Sequence, residues 1–218
     1  MNPPLSKCVI VAHGAFPSHP LPLAALRAAR RVVCCDGAVE KLEAAGFAPD
    51  WIVGDLDSLS DASRARHRDR LVAVAEQETN DLAKAFRFCV EQGWHDVVIV
   101  GATGLREDHT LGNLAWLADF AQTLHALDSA RAGSRVVLLT DTGIFTPALA
   151  SMQFRSHAGQ QVSLFSFGPG VQVYAEGLKY PLDQVPFTRW WQAALNEALG
   201  EAFKLVFEGG PLLVFQTY

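Results

Sequence analysis

Cysteine is scarce in this chain and badly spaced for a disulfide framework or a thiolate metal site. The four cysteines are Cys8, Cys34, Cys35 and Cys89, and no C-x-x-C pair occurs among them. Cys34 and Cys35 are adjacent and follow Val32 and Val33, which reads as buried strand. The N-terminus lacks the charged-then-apolar layout of a secretory signal, and no apolar run reaches the length of a membrane span. A reduced, cytoplasmic setting without membrane partners is the expectation. Clustered Lys and Arg are missing too: the formal net charge is −5, which argues against a general nucleic-acid binder. That acidity still leaves room for an anionic substrate whose charge is masked by Mg2+ and a few local cations. There is no internal repeat and no low-complexity tract. His13, His19, His67, His95, His125 and His157 show no ligand spacing and read as solvated or structural. His109 follows Asp108 without a metal-type partner, and Ser58 and Ser60 lack an evident His base.

Half of the 218 residues are hydrophobic and 19% are charged, a composition that builds a folded core. The first part alternates strand and helix patterns. Strands are expected at Lys7–Ala12, Arg31–Cys35, Trp51–Val53, Leu71–Ala75 and Val97–Val100. Helices are expected near Leu23–Arg30, Ala38–Ala45, Asp61–Arg70, Asn80–Gln92 and His109–Leu127. In the fourth of these, Leu82, Ala85, Phe86 and Cys89 fall on one face. Continuous apolar strands alternating with helices imply a mostly parallel sheet covered on both faces, a Rossmann-like α/β domain. After the polar stretch Asp128–Ser134 come short β-rich segments at Arg135–Leu139, Gly143–Phe145, Gln161–Phe165, Val171–Tyr174, Phe203–Phe207 and Leu212–Phe215. Gly168-Pro169-Gly170 and Gly209-Gly210-Pro211 punctuate them, as in a β-sandwich or roll. Two domains are expected, residues 1–130 (α/β) and 131–218 (all-β).

Ligands of such parallel sheets bind beyond the carboxyl ends of the strands, and polar groups gather at those ends here. In P-D-W-I-V-G-D-L-D-S, from Pro49, Asp55 and Asp57 are two apart. In an extended segment they share a face, and paired carboxylates suit a hard cation such as Mg2+. The competing reading is a surface turn, since Gly, Asp and Ser favour turns for conformational reasons. In Q-E-T-N-D-L-A-K-A, from Gln77, Asn80 or Thr79 caps a helix and Asp81 occupies its first turn, with Lys84 one turn on. The pair is either a surface ion pair or a holder of metal and phosphate. In G-A-T-G-L-R-E-D-H-T, from Gly101, glycines and a helix start allow close phosphate approach. This is neither a Walker A loop nor G-x-G-x-x-G. Arg106 would neutralise phosphate oxygens, and Asp108 is a further acidic group or an N-cap. Together these loops point to metal-assisted phosphoryl chemistry, which is chiefly charge positioning. Trp190 and Trp191 are core residues or a flat ring-binding platform.

With D-G-A at Asp36, these motifs, the G-L-K-Y-P-L at Gly177 and the N-E at Asn196, the chain resembles the thiamin pyrophosphokinase family over nearly its whole length. That resemblance implies transfer of the terminal diphosphate of ATP to the hydroxyethyl oxygen of thiamin, giving thiamin diphosphate and AMP. It implies Mg2+ at Asp55, Asp57 and Asp81, with Lys84, Arg106 and Asp108 joining them in catalysis. ATP contacts are implied at Asp36, Gly37, Gln77, Lys84, Gly101, Thr103, Gly104 and Arg106. Thiamin would face Asn196 and Trp190 or Trp191. The resemblance also implies a homodimer with sites at the subunit interface. Leu195 stands where the family commonly has Ser, and Asn80 where Thr is usual. The alternatives are a pyrophosphokinase for another heterocyclic alcohol such as a hydroxymethylpterin, a non-catalytic thiamin or nucleotide sensor, and a kinase transferring one phosphoryl group.

Overall fold

Runs such as Cys8–Val11, Arg31–Cys35, Asp96–Val100 and Arg135–Leu139 are apolar along almost their full length. A strand of that kind needs cover on both faces, which a parallel sheet clothed by helices provides. The structure is a computed structural model that describes residues 8–128, 134–168 and 170–218. The described residues fall into two compact units. The first runs through Phe120 and includes Leu124–Asp141, and the second comprises Ala121–Thr123 and Thr142–Tyr218. The expected boundary between residues 130 and 131 lies outside the described residues, as do Lys7 and Pro169.

In the first unit the elements alternate. They are β1 (Cys8–Val11), α1 (Pro20–Ala28), β2 (Arg31–Cys35), α2 (Val39–Ala44), β3 (Trp51–Gly54), α3 (Asp61–His67), β4 (Leu71–Ala73), α4 (Asp81–Glu91), β5 (Asp96–Val100), α5 (Glu107–Asp128) and β6 (Arg135–Leu139). The strand order is β6-β5-β1-β2-β3-β4, and every pairing is parallel. All eleven segments were expected from the sequence, most with shifted ends, but β6 was expected in the all-β part over 131–218. It pairs in parallel with β5 and falls in the first unit, because its continuous apolar run needs cover on both faces. Helix α1 starts three residues before the expected Leu23. His19 caps it by accepting from the Leu21 N–H, and Pro20 sits in the first turn, where its missing donor costs nothing. The helix expected over 61–70 is α-helical only to His67 and tightens into a 3-10 turn over Arg68–Arg70.

The second unit is antiparallel. Strands β7 (Gly143–Ala148), β9 (Gln161–Ser166), β11 (Ala193–Glu197) and β13 (Leu212–Thr217) pair in the order β11-β9-β13-β7. Strands β8 (Met152–Arg155), β10 (Gln172–Glu176) and β12 (Ala202–Glu208) pair as β10-β12-β8. In β12 every second residue (Phe203, Leu205 and Phe207) is buried while Lys204, Val206 and Glu208 face out, the alternation of a half-covered strand. These residues join Val162, Leu164, Leu212 and Val214 of the other sheet in one apolar cluster, which makes the unit a sandwich. Two strands were not foreseen. M-Q-F-R of β8 buries only Phe154, and A-A-L-N-E of β11 lacks β-branched or aromatic residues, so neither carries a strand signal.

Candidate active site

The order of the parallel strands locates a crevice. From β1 the chain proceeds outward through β2, β3 and β4, then returns to place β5 on the opposite side of β1. The loops leaving β1 and β5 therefore start side by side at the point where the winding reverses, the position at which such sheets bind ligands. Here the two loops stay zipped beyond their strands. Ala12 N–H donates to Val100 O (2.9 Å), Gly14 N–H to Gly101 O (2.6 Å) and Ala15 N–H to Thr103 O (2.8 Å). Only glycine fits at residue 14, because a Cβ there would lie 2.4 Å from the Gly101 carbonyl oxygen. Beyond the zipper lies a cavity of about 360 Å³, with His13, Thr103, Arg106, Asp81, His109 and Asn113 in its wall.

Beside it, three carboxylates converge. Oxygens of Asp36, Asp55 and Asp57 all lie within 4.8 Å of one another. Asp36 follows β2 in a 3-10 turn and is buried. Its oxygens accept from the N–H groups of Gly37 (2.6 Å) and Leu56 (2.8 Å). Burial, and then the charge of Asp81, push its carboxyl up to about 6 even though those two amides oppose the rise. Asp55 behaves oppositely. The Gln77 side-chain amide at 3.0 Å and the Asp57 N–H at 3.2 Å hold it down at about 2. Gly54, which ends β3, leaves the space the Asp36 carboxyl fills: a Cβ there would lie 2.6 Å from the Asp36 Cγ.

The mechanism that brings Asp55 and Asp57 together is not the expected one. Strand alternation does not apply, because β3 ends at Gly54. The chain kinks instead at Leu56, a buried residue at φ +67°, a left-handed conformation that is costly for leucine. Arg64 bonds the Leu56 carbonyl and the Asp36 carboxylate takes its N–H, so the kink is held from both sides.

Asn80, rather than Thr79, caps α4, its Oδ1 accepting from the Ala83 N–H at 3.0 Å. Thr79 bonds Glu76 instead. The Lys84 ammonium is buried, 3.1 Å from Asp81 and 3.7 Å from Asp55. Desolvation disfavours its charge, but the two carboxylates outweigh that and lift its pKa. Asp81 thus faces Lys84 and lies outside the group of three carboxylates within 4.8 Å. Arg106 and Asp108 form an exposed two-point pair at 2.6 and 3.1 Å, which holds Asp108 at about 2. Gly37, Gln77, Gly101, Thr103 and Gly104 lie on the same loops, with Gly101 at φ +66° and Gly104 at φ +86°.

The cavity-lining residues not singled out in the sequence as site residues include His13, Gly14, His109 and Asn113. His13 and His109 are not mere scattered histidines. The His13 ring packs where a Gly37 Cβ would stand, 2.2 Å from its Nδ1, and burial with the Lys41 charge lowers its pKa. The available signal was position: Gly14 lies three residues past the end of β1, and Asn113 lies one helical turn after His109.

In the second unit, Trp191 is 73% and Trp190 50% exposed, so the core reading of this pair is set aside. Trp190 meets Phe167 edge-on at 5.4 Å. Asn196 is buried, with its amide spent on backbone: it accepts from the Tyr180 N–H (3.1 Å) and Glu197 N–H (2.8 Å) and donates to Tyr180 O (2.8 Å). Leu195 before it is exposed at φ +60°, where the β9–β11 register slips.

Comparison with known proteins agrees with this architecture. Residues 24–127 match the family model "Thiamin pyrophosphokinase, catalytic domain", and residues 143–215 match "Thiamin pyrophosphokinase, substrate-binding domain". No curated protein matches by sequence. Among solved structures, thiamine pyrophosphokinase from Bacillus subtilis is 21% identical with a TM-score of 0.76, covering 97% of this chain and 99% of its own. A thiamin pyrophosphokinase family protein from Enterococcus faecalis is 22% identical with a TM-score of 0.77, covering 98% and 99%. Thiamin pyrophosphokinase from Candida albicans is 14% identical with a TM-score of 0.72, covering 100% and 95%. At these identities the likeness establishes the fold.

Proposed function

The chain belongs to the thiamin pyrophosphokinase family, a family of diphosphotransferases, and from that premise we propose that it uses ATP and Mg2+ to convert thiamin to thiamin diphosphate and AMP. The observation that carries the reading is the convergence of Asp36, Asp55 and Asp57 beside the buried Lys84, next to the cavity at the switch point of the sheet. Oxygen-only donors of this kind fit a hard divalent cation. Asp55 and Asp57, with Asp36 or Asp81, would hold it. Bound there, Mg2+ would neutralise charge on the diphosphate oxygens.

The chain's own groups account for the rest. Gly101, Thr103 and Gly104 present backbone to the nucleotide phosphates, and Gly37 lets His13 pack close. Arg106, now paired with Asp108, is exposed and within reach of phosphate at the cavity wall. Lys84 supplies a fixed positive charge, and Gln77 keeps Asp55 oriented and ionised. The thiamin hydroxyl oxygen bonds to the β-phosphorus, the bond from that phosphorus to the α–β bridging oxygen breaks, AMP leaves and the hydroxyl proton is released. Trp190 and Trp191 offer ring faces to the acceptor. Asn196 shapes that region through the backbone bonds it makes. The reading includes a homodimer and a reduced cytoplasmic setting, in keeping with four buried cysteines. Among the described residues no helix is long and apolar enough to cross a membrane. Both matched models are thiamin pyrophosphokinase models, which favours thiamin over a pterin alcohol or a sensor role.

Nucleotide product analysis with ATP, Mg2+ and thiamin tests the proposal. AMP formed one-for-one with thiamin diphosphate, and only in the complete mixture, is expected. ADP would indicate transfer of a single phosphoryl group. No thiamin-dependent product from folded protein would refute the acceptor assignment.

A further inference from the structure

Two asparagines stand in line across the cavity wall. Asn80 caps α4, and capping alone asks only for an oxygen: Ser, Thr and Asp do it as well. The cap fixes which way the Asn80 amide points, because Oδ1 must take the Ala83 N–H. The nitrogen is thereby turned to Asn113 of α5, where it donates to Oδ1 at 2.9 Å. Asn113, buried in the same wall, passes the chain on by donating from Nδ2 to the carbonyl of Ala102 at 2.8 Å. The amides thus run from the start of α4, through α5, to the loop after β5.

What these ends carry is the site. Asp81 follows Asn80 directly and Lys84 lies one turn beyond it, and Ala102 sits between Gly101 and Thr103, the residues zipped to the β1 loop. Resting on the function proposed above, we propose that the Asn80–Asn113 pair is a positioning device for the reaction, setting the Asp81–Lys84 end of α4 against the nucleotide-binding loop. Its contribution is precision of placement, where an error of about 1 Å costs on the order of a hundredfold in rate. A plain helix cap would give stability without that effect.

The test separates the two roles. Asn80→Ser keeps the cap oxygen and removes the amide donor. Expected are a melting temperature close to wild type, a kcat at least tenfold lower and an unchanged thiamin KM. Asn113→Ala, which removes the other partner, should cost a similar factor. The double variant should be no worse than the worse single, because the pair acts as one unit. ATP binding to the Asn80→Ser variant, read by calorimetry, should weaken in step with a raised ATP KM, while the thiamin KM holds. Wild-type turnover in Asn80→Ser, or full additivity in the double variant, would overturn the inference. An inactive wild-type protein would instead count against the proposed function itself, so the two failures are distinguishable. Should Asn113→Ala not fold, Asn80→Ser and its ATP affinity decide the matter alone.

Discussion

Leu56 and Gly54 make opposite demands on the turn that carries the acidic pair. Gly54 must stay small so that the Asp36 carboxyl can lie against its Cα, while Leu56 accepts a left-handed backbone to turn Asp55 and Asp57 toward it. Asp36 is pinned by two amides and cannot move aside cheaply. Gly54→Ala is therefore expected to destabilise the protein by about 1–3 kcal/mol in urea unfolding and to remove most turnover; a variant as stable and active as wild type would contradict the packing. Asp57 is different, being exposed, with its carboxylate accepting from the neighbouring Ser58 hydroxyl. Asp57→Asn is expected to leave the melting temperature unchanged and reduce turnover at least a hundredfold, since a neutral amide is the poorer ligand for a hard cation. Near-normal activity of the folded variant would remove Asp57 from the metal assignment.

At the scale of elements, helix starts are secured by groups remote in sequence. The start of α1 is held by Asp141, just after β6, whose carboxylate accepts from the Ser18 N–H and hydroxyl and from the His19 N–H at 2.5–3.0 Å. A carboxylate there also suits the positive end of the helix. Burial opposes its charge, yet these donors outweigh that and lower its pKa below the ordinary value. For an acid with a depressed folded pKa, the stabilisation is complete above the unfolded value of about 4 and is lost as pH falls through the folded one. Asp141→Asn should thus cost about 1 kcal/mol at neutral pH, with the gap to wild type closing below about pH 4. Chemical denaturation at pH 7 and pH 3 reads this directly, and a gap that widened in acid would reverse the assignment.

At the scale of the whole molecule, the α/β unit carries the converging carboxylates and the β unit exposes aromatic rings, and the proposed function assigns the first to the nucleotide and the second to thiamin. Trp191 is mostly exposed, so removing it sacrifices little core packing. Trp191→Ala is expected to raise the thiamin KM about tenfold while the ATP KM and the melting temperature hold. A rise in the ATP KM instead would place this ring in the nucleotide half.

Local pattern alone determined the parallel α/β unit, because strands buried on both faces must be apolar throughout and helices must show a stripe. It determined the loops that carry the candidate residues as well, since Asp36, Asp55, Asp81 and Arg106 all lie at a strand end or a helix start. Strands β8 and β11 escaped it because their residues have no period or propensity to read. Only the tertiary structure decided that Asp36 joins Asp55 and Asp57 while Asp81 turns to Lys84, for that depends on a strained leucine and an absent Cβ. It also decided that His13, His109 and Asn113 face the cavity and that Asn196 is spent on backbone. Such placements follow from which strands lie next to each other, and adjacency in space is not written in the local run of residues.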